Sequence, residues 1–356
     1  MKSLFITLND INTNYSGGSV CSLRNLRLLS ELGETETFII NSNKIEKVIS
    51  SVFLLFPPFS IIAFVKIINR INRTKPDIVF FDTSLLGRLV KFLYKRKGLK
   101  TIVFFHNVEI DYLDVRFGKS ANKYLYSWLC KYNESLSLKY SHSSICLNKR
   151  DQDRLETIYS IQPEFIVPIT LNSTYAWGDM IEKYRSDNKQ NKSLLFVGSL
   201  NRSNYISVKW FIDNVMTVLD KSIQLTIIGK DFETKRTEFE SDRITVIGTS
   251  DNLEEYYFKS MCVISPIFEG AGMKVKIAEA LMYGCVIAAS DEALEGYETN
   301  NQSVFRCNNI EEFKMAIQNI SESDNLYELK QASRLLFEKH YSDKSAADIF
   351  HKAVNN

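Results

Sequence analysis

The chain has 356 residues, of which 45% are hydrophobic and 24% charged, and its formal net charge is +2. That balance is globular rather than disordered, and the length suits two domains of roughly 150 to 200 residues better than one core. The near-neutral charge excludes the global basic field of a nucleic-acid-binding protein.

In chain order, the first apolar run is Leu4–Leu8, which stops at the polar pair Asn9-Asp10. It is too short for a secretory signal core, so the cytoplasm is the expected compartment, and it reads as a first strand. Ser16-Gly17-Gly18-Ser19 follows, with Val20, Leu23 and Leu26 then at helical spacing. Gly17 and Gly18 allow backbone to approach a ligand closely, and a helix N-terminus behind them favours an anion. A Gly-Gly turn without a ligand fits equally well.

The stretch Val52 to Ile68 is apolar except for Ser60 and Lys66, and Pro57-Pro58 interrupts it. A spanning helix needs about 20 apolar residues, so this is not one. Lys66, Arg70, Arg73 and Lys75 close it. It reads either as a core helix with a solvated basic end or as a peripheral membrane contact through residues 52–75, at the inner face of a membrane.

Further strands are expected at Ile78–Phe81, Ile102–Phe105 and Ser144–Leu147. The second of these runs into His106-Asn107-Val108-Glu109, which places His106, Asn107 and Glu109 at a strand's carboxyl end, where α/β enzymes keep their chemistry. A structural histidine is the alternative at His106. His142, His340 and His351 read as structural. From Trp177 to Ser193 the chain is polar and carries no strand signal, so a domain boundary is expected there.

A second series begins at Leu194–Val197 and continues at Leu225–Ile228, Ile244–Ile247, Cys262–Ser265 and Val286–Ala289. Continuous apolar strands joined by long helical connections give parallel sheets covered on both faces. The fold class is therefore α/β, with two Rossmann-like doubly wound domains facing a central cleft. After the first strand of this series come Gly198, Ser199 and Arg202. Gly198 permits a close approach, and Arg202 offers either a phosphate fork or a surface loop charge. After Cys262–Ser265 comes Glu269-Gly270-Ala271-Gly272-Met273-Lys274, then a helix through Lys276, Glu279 and Leu281 that stops at Gly284. A glycine loop and a helix N-terminus suit a diphosphate, and Lys274 and Lys276 in the first turn make sense beside one. Glu279 could accept both hydroxyls of a ribose or could pair with a nearby lysine. Leu326 to Val354 reads as helical. The six cysteines, Cys21, Cys130, Cys146, Cys262, Cys285 and Cys307, form no CxxC pair and are expected to be reduced thiols in cores.

At the Gly270–Gly284 stretch the chain resembles the GT-B glycosyltransferases, specifically the large retaining group 1 family, family four of the carbohydrate-active enzymes. Phe196-Val197-Gly198-Ser199-Leu200 with Asn204 and Val208-Lys209-Trp210-Phe211, Leu225–Gly229, Gly270–Lys274 with Glu279-Ala280-Leu281 and Gly284, and His106–Glu109 with Gly17-Gly18 carry the likeness. The resemblance implies an acceptor domain over residues 1–175, completed by a C-terminal helix at about 340–356, and a nucleotide-sugar donor domain over residues 190–339. It implies transfer of a sugar from a nucleotide-diphosphate sugar, a UDP-sugar ahead of a GDP-sugar, to a glycan, lipid-linked or protein-linked acceptor in glycoconjugate biosynthesis. Retention is implied, with no cofactor and no metal.

In that reading Arg202 and Lys274 neutralise the departing diphosphate and Glu279 holds the ribose. Glu269 and the Gly270, Ala271, Gly272 and Met273 backbone meet the transferred sugar, with Gly198 and Ser199 beside it. His106, with Asn107 and Glu109, faces the reacting sugar, and Gly17 and Gly18 approach phosphates or acceptor. Glu269 and Glu279 have nine residues between them where the common family pattern has seven, which leaves Glu269 either inside or outside the sugar pocket. The rival readings are a nucleotide-sugar epimerase of the same fold and a non-catalytic partner subunit. A simple NAD-binding domain would need a GxGxxG that Gly270-Ala271-Gly272 does not complete.

Overall fold

The structure is a computed structural model, and it describes residues 1–12, 17–41, 53–96, 98–117, 123–173, 177–183, 192–270, 272–300 and 302–356. The chain divides into two compact units, residues 1–170 with 346–356 and residues 171–345.

Unit one holds β1 (Lys2–Thr7), α1 (Gly17–Ser30), β2 (Glu34–Ile39), α2 (Ile61–Thr74), β3 (Ile78–Asp82), α3 (Gly87–Leu93), β4 (Lys100–Phe105), α4 (Glu109–Phe117), α5 (Lys123–Tyr140), β5 (Ser143–Cys146), α6 (Lys149–Tyr159) and β6 (Phe165–Ile166). Its six strands form one parallel sheet in the order β2-β1-β3-β4-β5-β6. The central strands are buried on both faces: Phe5, Phe80, Phe81, Ile102, Val103 and Phe104 are sealed from solvent. That is why they read as unbroken apolar runs. Helix α2 starts only at Ile61, where Ser60 caps it by accepting from the Ala63 amide at 3.1 Å. The double proline therefore lies ahead of the helix, as a ring that lacks an N–H requires.

Unit two holds α7 (Trp177–Lys183), β7 (Ser193–Val197), α8 (Arg202–Trp210), β8 (Gln224–Ile228), β9 (Ile244–Ile247), α9 (Leu253–Lys259), β10 (Cys262–Ser265), α10 (Val275–Met282), β11 (Val286–Ala289), β12 (Val304–Arg306), α11 (Ile310–Ser321) and α12 (Leu326–His340). Its parallel sheet runs β12-β11-β10-β7-β8-β9. The last helix, α13 (Asp343–Asn355), gives its residues from Ala346 onward to unit one, where Phe350 packs on Phe80 with ring centroids 5.6 Å apart. Gly284 ends α10 at φ +69, a conformation that costs glycine little, and this lets β11 begin two residues later.

Three strands escape a reading from apolar runs, and all three are edge strands. β2 (ETETFI) is only partly buried, β6 has two residues and β12 has three. An edge strand is covered on fewer sides, so it needs fewer apolar residues and leaves a weaker pattern. All six cysteines are free and buried.

Candidate active site

In each sheet the strand order reverses at one point, and doubly wound sheets bind ligands there, beyond the carboxyl ends of the strands. In unit two the reversal lies between β7 and β10. The loops that leave those two strands carry Gly198 to Arg202 and Pro266 to Lys274. The β7 end approaches its neighbours very closely. A Cβ on Gly229 would sit 1.9 Å from the Gly198 carbonyl oxygen, and a Cβ on Gly198 would sit 2.8 Å from both Lys276 Nζ and Asn204 Nδ2. Backbone contact requires glycine at Gly229, whereas a side chain at Gly198 would displace the Lys276 ammonium and the Asn204 amide from where they meet.

Two lysines border this point, and they are not equivalent. Lys274 is the residue before α10 rather than part of its first turn. Its ammonium donates to the Gly272 carbonyl at 2.7 Å and to Glu292 at 3.0 Å, so its charge is matched locally. Lys276, in the first turn of α10, donates to Asn204 Oδ1 at 2.9 Å and lies 4.2 Å from the centroid of the Phe196 ring. Among the described residues it forms no ion pair with a carboxylate. Burial, with the neighbouring Lys274 charge adding to it, brings its pKa down to about 7. A cation held only by an amide oxygen and a ring face is poised to receive an anion.

Asn204 itself is fixed by its Nδ2 donating to the Ser199 carbonyl at 2.7 Å, and Asn201 caps α8 by accepting from the Asn204 amide at 2.8 Å. Glu279 is partly buried and accepts from the Tyr257 hydroxyl at 3.1 Å. Burial raises its pKa, against the opposing pull of that hydrogen bond and of Lys276. Arg202 is exposed at the first position of α8. Glu269 is exposed too, and what it contributes locally is its backbone carbonyl, which accepts from Ser203 Oγ at 2.7 Å. Gly270 is partly buried, whereas Gly272 and Met273 are buried. Ala271 lies outside the described residues, as does Ser16.

In unit one the order reverses between β1 and β3. Asp82 ends β3 and is sealed from solvent. Its carboxylate accepts from Thr7 Oγ1 at 2.8 Å, from Asn25 Nδ2 at 2.8 Å and from the Ser22 hydroxyl. His106, just past β4, brings Nε2 within 3.0 Å of Asp82 Oδ1, an ion-pair contact without the alignment of a hydrogen bond. Burial alone would lower the imidazole pKa. The Asp82 carboxylate and Cys21 outweigh it and hold the ring well above its ordinary value. Burial works against a thiolate at Cys21 as well, yet Arg24 and His106 bring that thiol down. Arg24 is buried, donates to Cys21 Sγ at 3.3 Å and to the Pro168 carbonyl at 2.7 Å, and lies 5.5 Å from the Phe104 ring centroid. Asp82 and Arg24 thus flank His106 and Cys21 from opposite sides with opposite charges, which is how a buried ionic group avoids an uncompensated desolvation cost.

Gly17 and Gly18 open α1 beside this cluster, and a Cβ on Gly18 would meet Asn9 Oδ1 at 3.0 Å. Asn107 is partly buried, and Glu109 opens α4. The Glu109 amide donates to Glu134 Oε1 at 3.3 Å, and Glu134 also accepts from Ser84 at 3.0 Å and Tyr159 at 2.9 Å. Burial, with Glu109 adding, pushes the Glu134 carboxyl up to about 8. Such a group binds its proton in the folded state, and its contribution is complete below its unfolded pKa and lost as pH rises through about 8. Thermal melts from pH 5 to pH 9 are therefore expected to show wild type losing stability relative to Glu134→Gln. Parallel curves would show that ionisation of Glu134 is not the cause.

Asp82, Cys21 and Arg24 are the site residues that motif reading passes over, while Lys276 is visible only as a first-turn lysine beside Lys274. Asp82 is the last residue of an apolar strand, and that position was the available signal. Cys21 and Arg24 sit three apart on α1, one face of one helix turn, but nothing local says that this face meets His106. Of the remaining histidines, His142 Nδ1 meets Thr101 Oγ1 at 2.9 Å, and His351 Nε2 meets the Leu28 carbonyl at 3.1 Å.

Residues 191–323 match the family described as "Glycosyl transferases group 1". No curated protein matches the chain. Among solved structures, HepE from Anabaena in complex with UDP is similar over 100% of both chains, at 10% identity and a TM-score of 0.70. Sucrose-phosphate synthase from Thermosynechococcus elongatus is similar over 99% of this chain and 98% of its own, at 13% identity and a TM-score of 0.75. The lipopolysaccharide outer core galactosyltransferase WaaB is similar over 100% of this chain and 99% of its own, at 15% identity and a TM-score of 0.66. At these identities the structures establish the fold, which is GT-B, two Rossmann-like α/β domains each built on a six-stranded parallel sheet. The chain therefore has the GT-B fold, and the group 1 glycosyltransferase match, over residues 191–323, lies across the second of its two sheets.

Proposed function

We propose that the chain is a glycosyltransferase that moves a sugar from a UDP-sugar to a hydroxyl of a glycan carried on lipid or protein, with retention at the anomeric carbon. One observation carries the reading: Lys276, a partly buried ammonium without a carboxylate partner among the described residues, stands at the β7/β10 reversal beside Gly198 and the N-terminus of α10. A diphosphate supplies the charge that this arrangement lacks, and the helix N-terminus adds donors to it. HepE is seen in complex with UDP and with UDP-glucose, and WaaB is a lipopolysaccharide outer core galactosyltransferase, which favours a UDP-sugar and a glycan acceptor here.

In this reading residues 190–339 bind the donor, and residues 1–175 with the C-terminal helix bind the acceptor. As the bond from the anomeric carbon to the phosphate oxygen breaks, its electron pair stays on the diphosphate. Lys276 and Arg202 stabilise that growing charge, with Lys274 shaping the glycine loop through its bond to the Gly272 carbonyl. The acceptor oxygen bonds the anomeric carbon from the leaving-group face, and its proton passes to the departing phosphate oxygen. Glu279, aligned by Tyr257, holds the ribose hydroxyls. The His106 imidazolium, held in place by Asp82, donates to a hydroxyl of the transferred sugar. Glu269 and the Gly270–Met273 backbone line the sugar, while Gly17, Gly18, Asn107 and Glu109 border the acceptor.

Calorimetric titration of wild type and Glu279→Ala with UDP, GDP and their sugars tests this. The expected result is binding of UDP by wild type and a loss of about tenfold or more in the variant, as two hydrogen bonds to a charged group are removed. A folded wild type that binds no nucleotide overturns the reading and points to a non-catalytic partner subunit.

A further inference from the structure

One face of unit one is at once apolar and cationic. Ile62 and Val65 on α2 and Phe92 at the end of α3 are 47%, 50% and 50% exposed. Phe92 meets Phe64 of α2 edge-on, with ring centroids 5.4 Å apart, so the two helices present one continuous surface. Helix α2 is held to the core by a different stripe, Ala63, Ile67 and Ile71. Ile62 and Val65 lie outside that stripe. Single exposed apolar side chains are ordinary, but a joined group on two helices marks a contact surface.

The charge carried by the α2 and α3 segments themselves is of one sign. Neither residues 53–76 nor residues 83–106 contain an aspartate or glutamate. Lys66, Lys91 and Lys95 are exposed and, among the described residues, form no ion pair with a carboxylate. Arg70 differs, being paired with Glu36. Arg96 lies 5.5 Å from the Phe92 ring centroid and donates to Asn72 Oδ1 at 3.0 Å, which fixes one cation against the apolar centre. A second copy of this chain would bring the same cations to the same face and be repelled. An anionic bilayer offers the complement, an acyl boundary for the apolar side chains beneath a layer of phosphates for the lysines.

We propose that unit one docks on anionic phospholipid bilayers through the α2–α3 face, with Ile62, Val65 and Phe92 entering the acyl boundary and Lys66, Lys91 and Lys95 meeting lipid phosphates. The test is flotation of the full chain with vesicles of phosphatidylcholine alone and with vesicles containing about one third phosphatidylglycerol. Binding is expected to the phosphatidylglycerol vesicles only and to fall as salt is raised. The pairs Ile62→Glu with Phe92→Glu and Lys66→Ala with Lys95→Ala are each expected to weaken it by about tenfold or more. All four positions are exposed, and circular dichroism checks that the variants fold.

Wild type that binds neither vesicle overturns the proposal, as do variants that bind as well as wild type. A concentration-dependent dimer that the Glu pair abolishes, without vesicle binding, overturns it in favour of self-association. Glu279→Ala is expected to float with vesicles as wild type does, so a failed donor site and a failed docking face give different results.

Discussion

Replacing Lys276 with methionine is expected to weaken UDP binding by about thirtyfold to a hundredfold, while Lys274→Met costs less than about fivefold. Both lysines border the same loop, so the difference comes from their partners. Lys274 is already matched by Glu292 and the Gly272 carbonyl, and a matched charge has less to offer an incoming phosphate. Among the described residues Lys276 has only Asn204 Oδ1 and the face of Phe196, and a charge-assisted contact to a phosphate is worth about 1.5–3 kcal/mol.

The pH dependence separates the two further. Lys276 titrates at about 7 in the free protein because burial and Lys274 disfavour its charge. A bound diphosphate favours that charge and raises the pKa. Binding therefore takes up a proton above pH 7, and affinity falls as pH rises from about 7 to 9. Calorimetry in buffers of different ionisation enthalpy at pH 8 measures the uptake directly. It should disappear in Lys276→Met and persist in Lys274→Met. Equal UDP affinity in wild type and Lys276→Met would remove this lysine from the donor site.

The second large effect is expected at Asp82, which touches His106 and is read here as a positioning residue. Asp82→Asn should lower kcat by about a hundredfold and leave the KM for donor within about threefold. A neutral amide no longer holds the imidazole charged or oriented, and such losses appear in the transition state rather than in binding. The His106 pKa in wild type is raised, so its contribution to stability is fully present below the unfolded value, about 6.5, and lost as pH rises through the folded one. In the variant that loss moves to lower pH, and so does the falling limb of kcat. NMR titration of the His106 ring reads the shift without turnover.

Breaking a buried ionic group costs about 3–5 kcal/mol, so Asp82→Asn is also expected to be less stable. A double cycle with His106→Gln keeps the test decisive. If Asp82 acts through His106, Asp82→Asn adds little to the kcat loss of His106→Gln. Full additivity would make Asp82 a structural residue only.

The two prediction sites differ in how much of them a linear reading reveals. Gly198, the Gly270–Lys274 loop and Glu279 lie within single strand–loop–helix units, where strand ends, glycines and helix starts can be read locally. His106 was visible for the same reason, as the polar residue just past an apolar strand. Its partners were not. Asp82 comes from the end of β3 and Cys21 and Arg24 from one turn of α1, and nothing in the spacing of α1 says which face turns toward β4. Likewise Lys274 and Lys276 are two cations separated in the sequence by Val275 alone. Only the seating of α10 against β7 sends Lys276 to Asn204 and Phe196 and Lys274 to Glu292.

The sequence by itself determined the α/β class, the parallel character of both sheets and the resemblance to group 1 glycosyltransferases. Each rests on short-range physics: apolar runs long enough to be buried on both faces, helical spacing between them, and glycines where backbone must turn or approach. The tertiary structure decided the edge strands, the strand order that sets the two reversal points, and the partners of each ionisable group. Those depend on contacts between residues far apart in the chain. For a buried charge, the free energy is set by what stands within a few ångströms and not by its neighbours in sequence.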